Sequence, residues 1–315
     1  MYLNPPFIKK VKPNVDGRDF VIGDLHGCFD ELHKLLKFVN FDPTQDRLFS
    51  TGDLIDRGPY SSECMKMIQE PWFYPVLGNH EDLLINKARM ISSDQGGTMS
   101  PEEIDYIESL MPMVPSLYEL PLILEVEHLL FGKYYVVHAE ILPEHLYGSQ
   151  GVKYDPIEYG KYLDIMRKND MGPEIRNFMF AGEGNGIDYS MKQKLLWSRK
   201  VIGRFYEKHA EAIQNMNFDF LQNEHIPQEL KVFCGHNVVP FPMKIGQQYY
   251  LDTGAALGYS AKLKNFDIFT SFGHEFFVLS MIEIDTGTVY GCVTSEFRRG
   301  EIVKTEESIY KEGVE

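Results

Sequence analysis

Five short apolar runs in this chain each end on a residue type that ligates metals, and that repetition constrains the fold more than any other feature. The first is Val21-Ile22-Gly23-Asp24-Leu25-His26-Gly27. Apolar residues from Phe20 predict a buried strand, so Asp24 and His26 fall at its carboxyl end or in the turn after it. In open α/β sheets that edge is where ligands bind, and the flanking glycines let the backbone turn tightly and leave room for an approaching group. Two positions apart on a turning chain, a carboxylate and an imidazole can meet one ion. A lone Asp-x-His in a turn is more often ordinary loop chemistry, but here the design recurs. Leu48 to Thr51 ends in Gly52-Asp53-Leu54-Ile55-Asp56-Arg57-Gly58, and Tyr74 to Leu77 ends in Gly78-Asn79-His80-Glu81. Tyr134-Tyr135-Val136-Val137 delivers His138, and Val232-Phe233-Cys234-Gly235 delivers His236. Accident, or buried core histidines, would have to account for all five at once.

Helices fill the spaces between the first runs. Leu32, Leu35, Leu36 and Val39 recur at helical spacing, with His33 on the solvent side. Ser61 or Ser62 is positioned to cap a second helix carrying Met65 and Ile68, and Glu81–Met90 predicts a third. This alternation of strand and helix indicates βαβ units and a helix-covered sheet, an α/β (α+β) architecture. Residues 91–116 differ in texture: a Ser/Gly loop, then Ser100-Pro101-Glu102-Glu103, a capping box with proline at the first helical position, and a short helix to about Leu110. A surface excursion is the plainer reading, and a lid or substrate-selecting element the sharper one. Strands are expected at 122–126, 134–138, 231–235, 248–252, 275–284 and 288–295, and helices within 157–168 and 201–215. The long excursion after His138 carries Pro, Gly and Asn punctuation, including Ala181-Gly182-Glu183-Gly184-Asn185-Gly186, and the acidic tail after Arg299 is expected to be partly mobile. With no internal repeat or linker, the expectation is one domain over 1–315, with insertions at about 91–119 and 139–196 and a tail at about 300–315.

Composition narrows the function classes. The formal net charge of −15 argues against stable nucleic-acid binding, which needs a basic footprint. It also repels anionic substrates at long range, although screening confines that to roughly 10 Å, so a phosphate site here must be a local positive island. Four scattered cysteines (Cys28, Cys64, Cys234, Cys292) form neither a metal-type spacing nor a disulfide framework. Met1–Lys12 lacks the apolar core of a secretory signal and no run approaches a membrane span, so a soluble cytoplasmic protein is expected.

The ordered set Asp24-x-His26-Gly27, Gly52-Asp53-x-x-Asp56-Arg57-Gly58 and Gly78-Asn79-His80-Glu81 resembles the calcineurin-like metallophosphoesterases, and within them most resembles the bacteriophage lambda-type protein phosphatases of the phosphoprotein-phosphatase family. The likeness is nearly continuous from Phe20 to Ile85 and returns at Leu120–His138, Trp197–Arg199 and Val232–Gly254. It implies two packed mixed β-sheets flanked by helices, and host cytoplasm as the location if the chain is phage-encoded. It also implies two divalent ions, one held by Asp24, His26 and Asp53, the other by Asp53, Asn79, His138 and His236. A bridging Asp53 would set them about 3.5–4 Å apart, the spacing of two-metal hydrolases, with a hydroxide between them attacking phosphorus in line. The oxygen and nitrogen ligand set points to Mn²⁺, with Fe or Zn²⁺ also compatible. The same resemblance assigns phosphate binding to Arg57 and to Arg199 in Trp197-Ser198-Arg199, and general acid catalysis to His80, oriented by Asp56. Glu140, after His138, matches an acid that lambda-type enzymes also place there. His128, His145, His209, His225 and His274 have no motif around them and read as surface or structural residues.

The implied function is hydrolysis of phosphomonoesters on phosphoprotein Ser/Thr or on small phosphoesters. The rival is a diadenosine tetraphosphate or nucleotide pyrophosphohydrolase, which shares the core; such enzymes typically replace the Asp of Asp-Arg-Gly and carry Asp after Asn-His, whereas here Asp56 and Glu81 follow the phosphatase pattern. A cyclic phosphodiesterase is a third reading, and a non-catalytic binding module is disfavoured because every ligand position is filled.

Overall fold

The computed structural model describes residues 6, 8–93, 97–130, 132–141, 192–193, 195–203, 207, 231–245, 248–259, 277–295, 298–305 and 309. Two six-stranded mixed sheets dominate these residues. One runs β1 (Ile8–Val11), β5 (Ile123–His128), β6 (Gly132–Val137), β7 (Val232–Cys234), β9 (Gln248–Tyr250) and β8 (Met243–Ile245). The other runs β12 (Ile302–Lys304), β11 (Val289–Val293), β10 (Val278–Glu283), β2 (Asp19–Ile22), β3 (Arg47–Ser50) and β4 (Phe73–Pro75).

Strands covered on both faces cannot alternate apolar and polar residues, which is why these segments read as continuous apolar runs. Val21, Phe49, Leu124, Val136, Phe233 and Ile282, drawn from both sheets, share one buried cluster. Their neighbours Phe20, Ile22 and Leu48 belong to a second cluster with Leu32 and Leu35 of helix α1 (Phe29–Phe38). An aromatic ladder crosses the first cluster: Phe49 to Tyr134 at 5.9 Å, Tyr134 to Phe233 at 5.6 Å and Phe233 to Tyr249 at 4.9 Å between ring centroids. Truncating such a buried ring costs about 3–5 kcal/mol.

Within each sheet one block of three strands is parallel: β2-β3-β4 in one, β6-β7-β9 in the other. The carboxyl ends of both blocks meet. A Cβ on Gly23, just after β2, would lie 2.4 Å from the Leu251 carbonyl just after β9. The site is built at this meeting of strand ends.

Four features depart from the sequence reading. Helix α2 (Ser61–Lys66) is not capped by Ser61 or Ser62; Tyr60 is the N-cap residue and Ser61 Oγ instead accepts a hydrogen bond from the Asp56 N–H at 3.0 Å. The expected tail at 300–315 begins with strand β12, antiparallel to β11. The excursion at 139–196 starts and ends inside the core, since Ala139, Glu140, Ile141, Leu195 and Leu196 are all buried. Strands β1 and β8 were not foreseen. The helix expected at 157–168, the Gly-rich Ala181–Gly186 segment, most of 201–215, and His145, His209, His225 and His274 lie outside the described residues. Among the described residues no helix is long and apolar enough to cross a membrane.

Candidate metal centre

Each expected ligand sits just beyond a parallel strand: Asp24 and His26 after β2, Asp53 after β3, Asn79 after β4, His138 after β6 and His236 after β7. All six are buried. The loops holding them are tightly bent. His26, Asp53, Asp56, Arg57 and His236 all have positive φ, between 42° and 70°, a region that L side chains rarely adopt. Non-glycine residues persist there only when the surroundings impose it, typically at functional sites.

Tautomers follow from carbonyl acceptors, which cannot donate. His26 Nδ1–H donates to the Ile55 carbonyl at 2.7 Å and His138 Nδ1–H to the Thr51 carbonyl at 2.8 Å, so both Nε2 atoms face inward. Burial lowers the pKa of His138, that of His26 to about 4 and that of His236 to about 2. All three rings are therefore neutral, the form that binds metal.

Asp53 lies at the middle. Its Oδ2 is 3.4 Å from His26 Nε2 and 3.8 Å from His80 Nε2, while Oδ1 is 3.5 Å from His138 Nε2. His26, Asp53 and His80 place one ligand-type atom each within 4.8 Å of one another, and so do Asp53, His138 and His236. Asp53 alone belongs to both groups. Asn79 Oδ1 is 2.7 Å from His138 Nε2 and 3.1 Å from His236 Nδ1. Asp24 stands slightly apart: its oxygens accept from Thr51 Oγ1 and from the His236 N–H, each at 2.9 Å, so the tight group around His26 contains His80 in its place. Each Asp24 oxygen keeps a second lone pair beyond the bond it accepts.

Two observations show that these residues fit divalent cations. Among the described residues His236 Nε2 is buried without a hydrogen-bond partner, a costly arrangement for a polar atom unless a ligand takes it. Asp24, Asp53 and Asp252 are buried close enough to repel one another. Burial, then Asp252 and Asp53, push the Asp24 carboxyl well up, and burial pushes Asp252 up to about 6. A dication beside them relieves that strain.

The remaining expected residues surround this centre. His80 Nδ1 pairs with Asp56 Oδ2, leaving Nε2 turned towards Asp53 and 3.2 Å from Arg57 Nη2. Burial works against the protonated ring, but the hydrogen bond to Asp56 and the charge of Asp53 outweigh it and raise its pKa. Arg57 is exposed and reaches across the mouth to His26 Nε2 at 2.7 Å. Arg199, also exposed, donates to Asn237 Oδ1 at 3.2 Å and to the His236 carbonyl at 3.4 Å. The structure therefore brings the residues expected from the motifs to one place.

The sequence reading names Glu81 and Glu140 but gives them no role, and it passes over Asp252. Glu81, fully buried, accepts from the N–H groups of Asp53, Leu54 and Gly78 at 2.9, 2.8 and 3.0 Å, clamping two ligand loops together. Glu140 accepts from Ser198 Oγ, Tyr250 OH and the N–H groups of Val201 and Ile202 at 2.9–3.2 Å, which fixes the turn bearing Arg199. Asp252 follows the apolar run Tyr249-Tyr250-Leu251, a sixth instance of the same strand-then-ligand pattern.

A family model described as calcineurin-like phosphoesterase matches residues 20–276. The chain is 30% identical over 275 residues to a symmetrical bis(5'-nucleosyl)-tetraphosphatase of Actinobacillus succinogenes, covering 79% of this chain and 93% of that protein. It is 28% identical over 242 residues to serine/threonine-protein phosphatase 2 of Salmonella typhimurium, covering 75% of this chain and 87% of that protein. A solved cold-active protein tyrosine phosphatase superposes with a TM-score of 0.49 at 16% identity, covering 96% of this chain and 82% of that one.

Proposed function

The chain belongs to the calcineurin-like phosphoesterase family, and from that premise we propose that it is a protein serine/threonine phosphatase. The observation that carries this reading is the His80–Asp56 pair, with Nε2 of the imidazole facing the site. A serine alkoxide is a poor leaving group and needs a proton as its bond to phosphorus breaks. An imidazole held protonated by a carboxylate supplies it, a contribution of typically about 10²–10⁴-fold. A nucleotide leaving from a pyrophosphate linkage is already a stable anion and gains little from such an acid.

In this reading Asp24, His26 and Asp53 would hold one cation and Asp53, Asn79, His138 and His236 a second, Mn²⁺ suiting the oxygen and nitrogen donors. When bound, the cations supply a nucleophile at neutral pH and offset the negative charge of the phosphoryl group. Arg57 and Arg199, exposed at the mouth, bind the phosphate oxygens through paired N–H donors. His80 Nε2–H is delivered to the leaving oxygen, and Asp56 keeps the ring in the tautomer and orientation that make this transfer.

A second reading is favoured by the 30% identity to a symmetrical bis(5'-nucleosyl)-tetraphosphatase over most of both chains: hydrolysis of a dinucleoside polyphosphate at the same centre. One substrate panel separates the two, using a phosphoserine peptide, p-nitrophenyl phosphate and diadenosine tetraphosphate with Mn²⁺ present. The phosphatase reading expects the peptide to be turned over efficiently and His80→Asn to damage that reaction far more than p-nitrophenyl phosphate hydrolysis. Efficient cleavage of diadenosine tetraphosphate alone, insensitive to His80→Asn, would replace it with the second reading.

A further inference from the structure

Helix α4 (Pro101–Leu110) belongs to the stretch read from sequence as a surface excursion, yet one of its side chains reaches the Asp56–His80 pair. Tyr106 OH donates to Asp56 Oδ1 at 2.7 Å and lies 3.1 Å from Ser61 Oγ, which itself accepts from the Asp56 N–H at 3.0 Å. Asp56 is thus held at both its backbone and its outer oxygen, and Oδ2 is left for His80 Nδ1.

Asp56 has need of such a hold. It and Arg57 are consecutive residues with φ of 70° and 69°, and its side chain is 31% exposed. A carboxylate at a wet mouth, on a bent loop, turns freely about its last torsion unless a second partner fixes it. Tyr106 is that partner, and its own position is well determined. Ser100 Oγ caps α4 by accepting from the Glu103 N–H at 3.2 Å, Ile107 and Leu110 are buried in the main core, and Glu103 pairs with Lys87 of α3 (Asn79–Ser92) at 2.5 Å. Packing does not explain the tyrosine, since the residue is 37% exposed while its hydroxyl is aimed inward.

We propose that Tyr106 is a positioning residue: through Asp56 it orients the His80 imidazole for proton delivery, so that the α4 insertion sets how poor a leaving group the enzyme can expel. This rests on the general-acid reading of His80 given above. It also predicts an asymmetry that a structural tyrosine does not: loss of the hydroxyl harms reactions that need the proton and spares those that do not.

The test is Tyr106→Phe in the Mn²⁺-loaded full chain, with kcat and KM measured for a phosphoserine peptide and for p-nitrophenyl phosphate. A hydrogen bond to a charged acceptor is worth about tenfold or more in an equilibrium, so the peptide-to-aryl ratio of kcat is expected to fall about 5- to 10-fold with KM for the peptide unchanged. In a His80→Asn background the same substitution should leave the ratio where His80→Asn alone put it. Ser61→Ala, which removes the other anchor without touching the ring, should shift the ratio in the same direction. Glu108→Gln, exposed on the same helix, should change neither substrate. Equal losses on both substrates, no shift from either Tyr106→Phe or Ser61→Ala, or a Tyr106→Phe shift that persists in full without His80, would overturn the proposal. If His80→Asn shifts the ratio while Tyr106→Phe does not, the role of Tyr106 falls and the general acid stands. If neither shifts it, both fall together.

Discussion

Gly235→Ala offers a direct test of whether Asp24 is held in place as a ligand. A Cβ at position 235 would lie 1.9 Å from Asp24 Oδ1 and 2.5 Å from Thr51 Oγ1, where real Cβ contacts stay above 3.0 Å. The carboxylate must therefore retreat by more than an ångström. It cannot do so freely, because Thr51 Oγ1 and the His236 N–H grip its two oxygens at 2.9 Å each. A hydrogen bond contributes about 0.5–1.5 kcal/mol, rising to about 1.5–3 kcal/mol where the acceptor is charged. Losing one or both, with some overpacking, gives an expected destabilisation of about 3–5 kcal/mol, large against a typical total of roughly 5–15 kcal/mol. Urea unfolding of metal-free protein measures that term, and metal content by mass spectrometry measures the second consequence, loss of the cation that Asp24, His26 and Asp53 would share. Gly203→Ala, where nothing lies within 4 Å of the added Cβ, is the control and should be neutral or slightly stabilising. A Gly235→Ala protein with near wild-type stability and two tightly bound Mn²⁺ ions would refute the placement of Asp24.

Other consequences follow from the same geometry. Asp53→Asn should reduce bound metal below two per chain and remove most turnover, because Asp53 alone joins both ligand groups; normal occupancy with near-normal rates would contradict its bridging place. Arg57→Ala and Arg199→Ala should each raise KM and lower kcat for phosphomonoesters, whereas a purely structural Arg199 would alter the melting temperature and leave the kinetic constants alone. Asp46 is buried and accepts from Arg18 Nη2 at 2.6 Å and from the Arg18 and Asp42 N–H groups at 2.8 and 3.0 Å. Burial acts to raise its pKa, but these bonds outweigh it and hold the carboxyl below the usual range. A depressed folded-state pKa means stabilisation that is complete above about pH 4 and lost as pH falls through the folded value. Asp46→Asn should therefore cost about 2 kcal/mol at pH 7, with the gap to wild type closing towards pH 3 in denaturant melts.

The strands that carry ligands were legible because burial on both faces imposes an unbroken apolar run, and a polar residue ending such a run stands out. Strand β12 was not, because its pattern is one half-exposed and two exposed residues paired at a sheet edge. Register against β11 forms that strand, not its own composition. Strand β1 was hidden in the same way: Lys9 and Lys10 are exposed between Ile8 and Val11, and parallel pairing with β5 supplies the order. Ser61 misled for a different reason. A serine at the start of a helix ordinarily caps it, but here its hydroxyl is taken by Asp56 and Tyr106, a partner 45 residues away that no local rule anticipates. The candidate ligands themselves are short-range motifs; the contacts that orient them are long-range and leave no periodic trace.

Those orienting contacts share a chemistry. The site's bent loops place His26, Asp53, Asp56, Arg57 and His236 in left-handed backbone conformations, each costing free energy that something outside the loop must offset. At Asp53 and His236 that something is a carboxylate, and two further carboxylates hold unstrained segments beside them. Glu81 binds three N–H groups across the loops of Asp53 and Asn79, Glu140 binds two beside Arg199, Asp24 binds that of His236, and Asp53 binds that of His80 at 3.0 Å. A buried carboxylate is the strongest acceptor a protein can offer several convergent N–H donors, and it leaves the loops rigid only while those donors satisfy its charge. The arrangement is thus reciprocal: the acids need the strained loops to present their N–H groups, and the loops need the acids to stay bent. In an acidic chain this explains how so many buried carboxylates gather around a centre meant for an anion. Burial pushes the Glu81 carboxyl up to about 8 and raises that of Glu140, so neither adds a full negative charge; in the proposed reading Asp24 and Asp53 would hold the cations, and Arg57 and Arg199 would supply the positive charge at the mouth.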